Sequence, residues 1–107
     1  LWKGVSIMNT KIKTDAVDSL FDAVLCLQSR EECYSFFEDL CTVNELLSLS
    51  QRFEVAAMLK DGKTYLDIAE KTGASTATIS RVNRSLNYGN DGYELVFGRM
   101  EKKDVGK

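Results

Sequence analysis

The chain has 107 residues, 44% of them hydrophobic, with 14 basic groups, 16 acidic groups and no histidine, for a net charge of −2. That length fits one domain with a modest core. No apolar run approaches the roughly 20 residues of a bilayer span, and no targeting segment is read, so a cytoplasmic, non-membrane protein is expected. The missing histidine removes the commonest general base, and no nucleophile elbow or phosphate-binding glycine loop appears; no catalytic residue is assigned, and enzyme activity is not expected.

Proline is absent and long amphipathic segments dominate, which predicts an all-α fold, a small multi-helix domain. Residues 1–13 read as a flexible N-terminal arm, with Leu1 to Ile7 set outside the fold and Asn9 to Lys13 polar and basic. A first helix is predicted from Asp15 to Gln28, with Val17, Leu20, Phe21, Val24 and Leu25 as its apolar stripe and Leu27 beside it. Ser29 and Glu32 form a capping-box pair for a second helix to Asp39, whose apolar content is Cys33, Phe36, Phe37 and Leu40, with Tyr34 on a flank. Both stripes are wide for a small domain, which suggests burial against a second chain. Cys26, Cys33 and Cys41 contain no CxxC pair, so neither a metal site nor a disulfide framework is expected; they read as buried free thiols.

Thr42 and Glu45 make another capping box, opening the longest helix, Val43 to Lys60. Leu46, Leu49, Phe53, Ala56 or Ala57, and Leu59 or Lys60 follow at three- and four-residue steps along this central strut. Gly62 sits where a left-handed C-terminal stop is favoured.

The next stretch, from about 64 to 86, reads as two short helices joined at Gly73. Thr64 caps the first, and Ser75 or Thr76 the second. Ala69, four residues before the glycine, permits close approach; Ile79, six after it, fills the angle between the helices. That pattern is the signature of a DNA-binding helix-turn-helix. Ile79, Val82 and Leu86 form the inner stripe of the second helix, and Thr76, Ala77, Ser80, Arg81, Asn83 and Arg84 point away from it or flank it, with Ser75 at its head. Small hydroxylated residues can enter a major groove, and the two arginines would meet phosphate oxygens or guanine edges with no acid nearby. Beyond Leu86 a turn-rich connection leads to a last helix, Tyr93 to Met100, packing through Leu95, Val96 and Met100; residues 102–107 read as a tail.

The net charge hides a separation. Residues 14–49 carry Asp15, Asp18, Asp22, Glu31, Glu32, Glu38, Asp39 and Glu45 against Arg30 alone. Residues 50–86 carry six basic groups, Arg52, Lys60, Lys63, Lys71, Arg81 and Arg84, against Glu54, Asp61, Asp67 and Glu70. A DNA-binding face needs local positive potential, not a positive total.

The run from Leu40 to Leu86 resembles the bacterial Trp repressor family. The resemblance is carried by Thr42-x-x-Glu45, Arg52, Gly73-Ala74, the segment Ala77-Thr78-Ile79-Ser80-Arg81, and Asn83-Arg84-Ser85-Leu86. It implies an intertwined homodimer in which residues 14–101 form the domain, with the second helices of two motifs entering successive major grooves of a roughly palindromic operator. Thr76, Ala77 and Ser80 match the family's base-facing positions. Arg52 and Arg81 match the pair that holds indole in the tryptophan-responsive members, and Thr42 and Thr78 match further pocket positions, which makes L-tryptophan or another small effector the implied ligand. Val82 stands where the family has a glycine that leaves room for that ligand.

The function expected is therefore a homodimeric, sequence-specific transcriptional regulator, a repressor, bound to double-stranded DNA. The alternative is an interaction module whose acidic helices bind a protein partner and whose helix-turn-helix is structural.

Overall fold

The computed structural model describes residues 11–105, and residues 1–10 of the expected arm and 106–107 of the expected tail lie outside the described residues. Six helices follow one another: α1 (Asp15–Leu25), α2 (Arg30–Leu40), α3 (Val43–Lys60), α4 (Tyr65–Thr72), α5 (Thr76–Tyr88) and α6 (Gly92–Val105). No strand occurs among the described residues, and none of these helices is long and apolar enough to cross a membrane.

Local chemistry starts five of the helices. Thr14, Ser29, Thr42, Thr64 and Ser75 each have extended backbone and a side-chain oxygen that accepts the amide three residues on, which satisfies a donor the helix itself cannot. At Thr42 the box is reciprocal: the Thr42 amide donates to Glu45 Oε1 at 2.8 Å. That bond, with the Thr42 hydroxyl behind it, holds the Glu45 carboxyl below its usual value. At Ser29 the return bond slips by one residue, and Glu32 Oε1 accepts the Gln28 amide at 2.8 Å. That amide lies outside α1, because α1 closes at Cys26, where the amides of Cys26 and Leu27 fold back to the carbonyls of Ala23 and Val24 respectively. The first helix is thus three residues shorter than its apolar pattern suggests.

The core lies between α3, α4, α5 and α6. Val55, Ala56, Ile68, Ala74, Ile79, Val82 and Phe97 are buried, with Ala57, Met58, Leu59, Ala69, Leu86 and Tyr93 packed around them. The inner residues of the two-helix motif, Ile68 and Ile79, are fully buried. Two faces differ from expectation. On α3 the buried edge is Val55 and Ala56, while Leu49 and Phe53 are exposed, because α4 and α5 approach α3 from the Val55 side. On α6 the packing residues are Phe97 and Tyr93; Val96 and Met100 are exposed, and the helix continues to Val105, through the start of the expected tail. Phe53, Tyr93 and Phe97 form an aromatic group with centroids 5.2 to 6.4 Å apart, and Lys60 lies over Phe97 at 5.1 Å while reaching Glu94 at 3.5 Å.

Neither α1 nor α2 contributes a buried residue. Leu25 is 82% exposed and Val43 74%. The thiols are free but not buried: Cys26 and Cys33 are exposed and Cys41 is intermediate, since little else in the chain packs over these helices.

Candidate nucleic-acid interface

The turn that sets the second helix against the first is tied down by one glycine and three hydrogen bonds. Gly73 takes a left-handed conformation (φ 74°), which only glycine adopts without cost. The Thr72 hydroxyl donates to the Ile68 carbonyl at 2.7 Å and accepts the Ala74 amide at 3.1 Å. Gln51 of α3 donates to the Thr72 carbonyl at 3.1 Å. The turn is thereby fixed to the strut as well as to its own helices.

Ser75 then opens α5. Its Oγ accepts the Thr78 amide at 3.1 Å and donates to the Thr78 hydroxyl at 3.1 Å. The first turn of α5 contains no acid, so the positive end of the helix is left uncompensated and favours an anion. Ile79 and Val82 face inward, buried; Thr76, Ala77, Ser80, Arg81 and Arg84 are exposed, and Thr78 and Asn83 are intermediate. Ile79 and Val82 fix the inner direction, and at about 100° per residue Ala77 and Arg84 lie almost directly opposite it, with Ser80 and Arg81 on either side. Neither arginine has an ion-pair partner among the described residues. Asn83 differs: its carbonyl and its Oδ1 accept from Asn87 Nδ2 at 2.9 and 3.0 Å, so its amide is engaged within the helix.

A cleft of about 380 Å³ opens beside this face, between α3, α5 and α6, lined by Leu49, Arg52, Phe53, Arg81, Val82, Ser85 and Tyr93. The structure brings Arg52 and Arg81 together here. Thr42 and Thr78 do not line it: the Thr42 hydroxyl caps α3, and the Thr78 hydroxyl bonds Ser75. Two guanidinium groups, a hydroxyl and a phenol with no carboxylate make the cleft suited to an acidic group. Ser85 is four residues after Arg81, so helical spacing could have placed it; Tyr93 and Phe53 come from other helices, and no local signal reveals them. Among the described residues no group of three or more acidic, cysteine or histidine side chains is placed to hold a metal.

Comparison with known proteins gives a consistent result. Residues 15–101 match the family described as Trp repressor protein. The uncharacterized protein YerC of Bacillus subtilis (strain 168) is 55% identical over 95 residues, covering 89% of this chain and 91% of that protein. The crystal structure of a TrpR-like protein from Eubacterium eligens ATCC 27750 superposes with a TM-score of 0.85 at 71% identity, covering 87% of this chain and 96% of the other. A candidate Trp repressor from Staphylococcus aureus superposes with a TM-score of 0.83 at 60% identity, covering 86% and 92% of the two chains.

Proposed function

The chain belongs to the Trp repressor protein family, and we propose that it is a homodimeric transcriptional repressor that reads a roughly palindromic operator through α5. The observation that carries this reading is the outward face of α5. Ala77, Ser80, Arg81 and Arg84 are exposed, free of neighbouring acid, and rigidly backed by Ile79 and Val82. Short side chains let the helix sink into a major groove, and the arginines supply charge for phosphate or base. The acid-rich α1 and α2 would face away from the duplex.

The uncovered apolar surface supports the dimer. Leu25, Tyr34, Val43 and Leu47 are exposed, and a groove of about 420 Å³ between α2 and α3 is lined by Arg30, Cys33, Tyr34, Phe37, Leu46, Leu47 and Ser50. A partner's matching helices would bury both. Two recognition helices would then sit about one DNA turn apart, roughly 34 Å. Repression follows from occupancy: a protein covering a promoter excludes polymerase.

DNA binding without an effector is the reading the cleft favours. Val82 is 3% exposed and packs with the core, so α5 is held against α3 by the chain's own side chains. An indole would have to share that wall with its two methyl groups. The second reading places L-tryptophan or another small acid between Arg52 and Arg81, with Ser85 and Tyr93 beside it.

The test is selection of genomic DNA fragments by the purified protein near physiological salt, with and without L-tryptophan. Enrichment of a two-fold symmetric site in both conditions is the expected result. Enrichment only with tryptophan would establish the second reading. No enrichment in either would overturn the regulator and favour the interaction module.

A further inference from the structure

We propose that Arg84 is the residue through which each protomer reads a base, pairing bidentately with a guanine edge in the major groove. This rests on the DNA-binding reading above and sharpens it to a single side chain.

The assignment follows from what each outward residue of α5 is free to do. Ser75 is engaged with the amide and hydroxyl of Thr78. Asn83, otherwise a reader of adenine, has its amide oxygen bonded to Asn87. Arg81 lines the cleft with Arg52, off to one side of the helix. Thr76, Ala77 and Ser80 are exposed but short, offering a methyl or a hydroxyl and no bidentate donor pair. Arg84 remains: exposed, with no ion-pair partner among the described residues, and two helical turns beyond Ala77 on the line opposite the buried stripe.

Position on that line separates base reading from phosphate binding. The centre of the outward face meets the groove floor, where base edges lie, while residues on its flanks meet the phosphate walls. Side chains on a helix lean toward its N-terminus, so the Arg84 guanidinium is carried back toward Ala77 and Ser80, the end that enters the groove. There its planar fork matches guanine O6 and N7, the commonest specific contact in this groove. The neighbouring Ala77 and Thr76 methyls suit thymine methyls, so the half-site would combine one required guanine with adjacent thymines.

The experiment uses the full-length protein and the symmetric site that it enriches from genomic DNA. Binding is measured across salt concentrations for wild type, Arg84→Ala and Arg84→Lys, on the selected site, on single-base variants, and on DNA carrying 7-deazaguanine at the required guanine. Discrimination at that one base pair should fall about 5- to 150-fold in both variants. Arg84→Lys should keep the wild-type salt dependence, and wild type should weaken on the deaza site. A uniform loss across all sequences, with a salt slope reduced by about one unit per arginine removed, would make Arg84 a phosphate contact and overturn the assignment while leaving the regulator intact. An unchanged preference in Arg84→Ala would overturn it equally. If wild type enriches no site, the DNA-binding reading itself fails and takes the Arg84 assignment with it. Circular dichroism melting of both variants should match wild type, because the side chain is exposed.

Discussion

Gln51 Nε2 donates to the carbonyl of Thr72 at 3.1 Å, joining the middle of α3 to the last residue of α4 across the base of the turn. A carbonyl at a helix C-terminus has no intrahelical partner, so the bond both satisfies Thr72 and fixes how the two-helix motif is set on the strut. Replacing Gln51 with Ala is expected to cost about 1 kcal/mol, seen as a lower urea midpoint with an unchanged slope. DNA affinity should fall with it, because α5 loses part of its anchorage.

Ser75 separates stability from recognition. Ser75→Ala removes the cap on α5 and should cost about 1 kcal/mol. Ser75→Asp keeps a capping oxygen and adds a charge that suits the helix dipole, so its urea midpoint should equal or exceed that of wild type. The same carboxylate would stand where a DNA phosphate or base edge is expected. Its affinity for the selected site should drop at least about tenfold, a shift of about 1.4 kcal/mol. Equal affinity for wild type and Ser75→Asp would remove the head of α5 from the interface.

Gly73 gives a clean measure of backbone strain. Its φ is +74°, and a Cβ built there meets nothing within 4 Å. Gly73→Ala therefore costs only what a left-handed backbone costs an L-residue, about 1–2 kcal/mol, and Gly73→Asn should cost less, since asparagine tolerates that region. Thermal melting of the two variants side by side is the check; a larger loss for Asn than for Ala would contradict the argument.

Acid should weaken the opening of α3. The Thr42 amide, and then its hydroxyl, stabilise the Glu45 carboxylate and push its pKa below the ordinary 4.5. A carboxyl whose pKa is depressed by folding contributes stability above its unfolded pKa, and that contribution is lost as pH falls through the folded value. Glu45→Gln retains a capping amide but does not titrate. The gap in urea midpoint between wild type and Glu45→Gln should narrow below about pH 4.5 and stay constant above it.

Leu25 tests the assembly. It is the most exposed residue of the apolar stripe on α1, so a charge there cannot disturb the protomer core. Leu25→Glu should leave the helical circular dichroism near that of wild type and halve the mass measured by light scattering at micromolar concentration. Wild type found as a monomer under the same conditions would remove the dimer from the proposed function.

What could be read from the sequence was whatever local chemistry encodes. Thr42 with Glu45, Gly62 after Lys60, and Thr64, Gly73 and Ser75 around the turn each act within four residues, and α3 begins and ends where those residues put it. Ile79 and Val82 were legible for the same reason, since the spacing about Gly73 specifies which side faces in. Val55 and Phe97 were not. Both belong to helices with apolar residues on more than one side, and which side is buried depends on where α4 and α5 lie, information held elsewhere in the chain. The cleft was half legible: Arg52 and Arg81, the pair named from the family resemblance, both line it, but Tyr93 reaches it from α6. The position of α6 depends in turn on Asp91, whose φ of 62° ends the connection after α5.

The five hydroxyl caps have a kinetic consequence. Each helix from α1 to α5 can begin without waiting for a distant segment, and the packing joins helices adjacent or one apart in the chain, α2 with α3, α3 with α4 and α5, α4 with α5, and α5 with α6. Chains of such local topology cross their folding barrier in microseconds to milliseconds. The core of a single chain should therefore form fast, and in the proposed dimer the slow event should be the meeting of two chains, on a timescale of milliseconds to minutes set by concentration. Newly made protein would then pass through an interval in which the two-helix motif is already built and the second copy of the proposed dimer has not yet arrived. The length of that interval is governed by how many copies the cell holds.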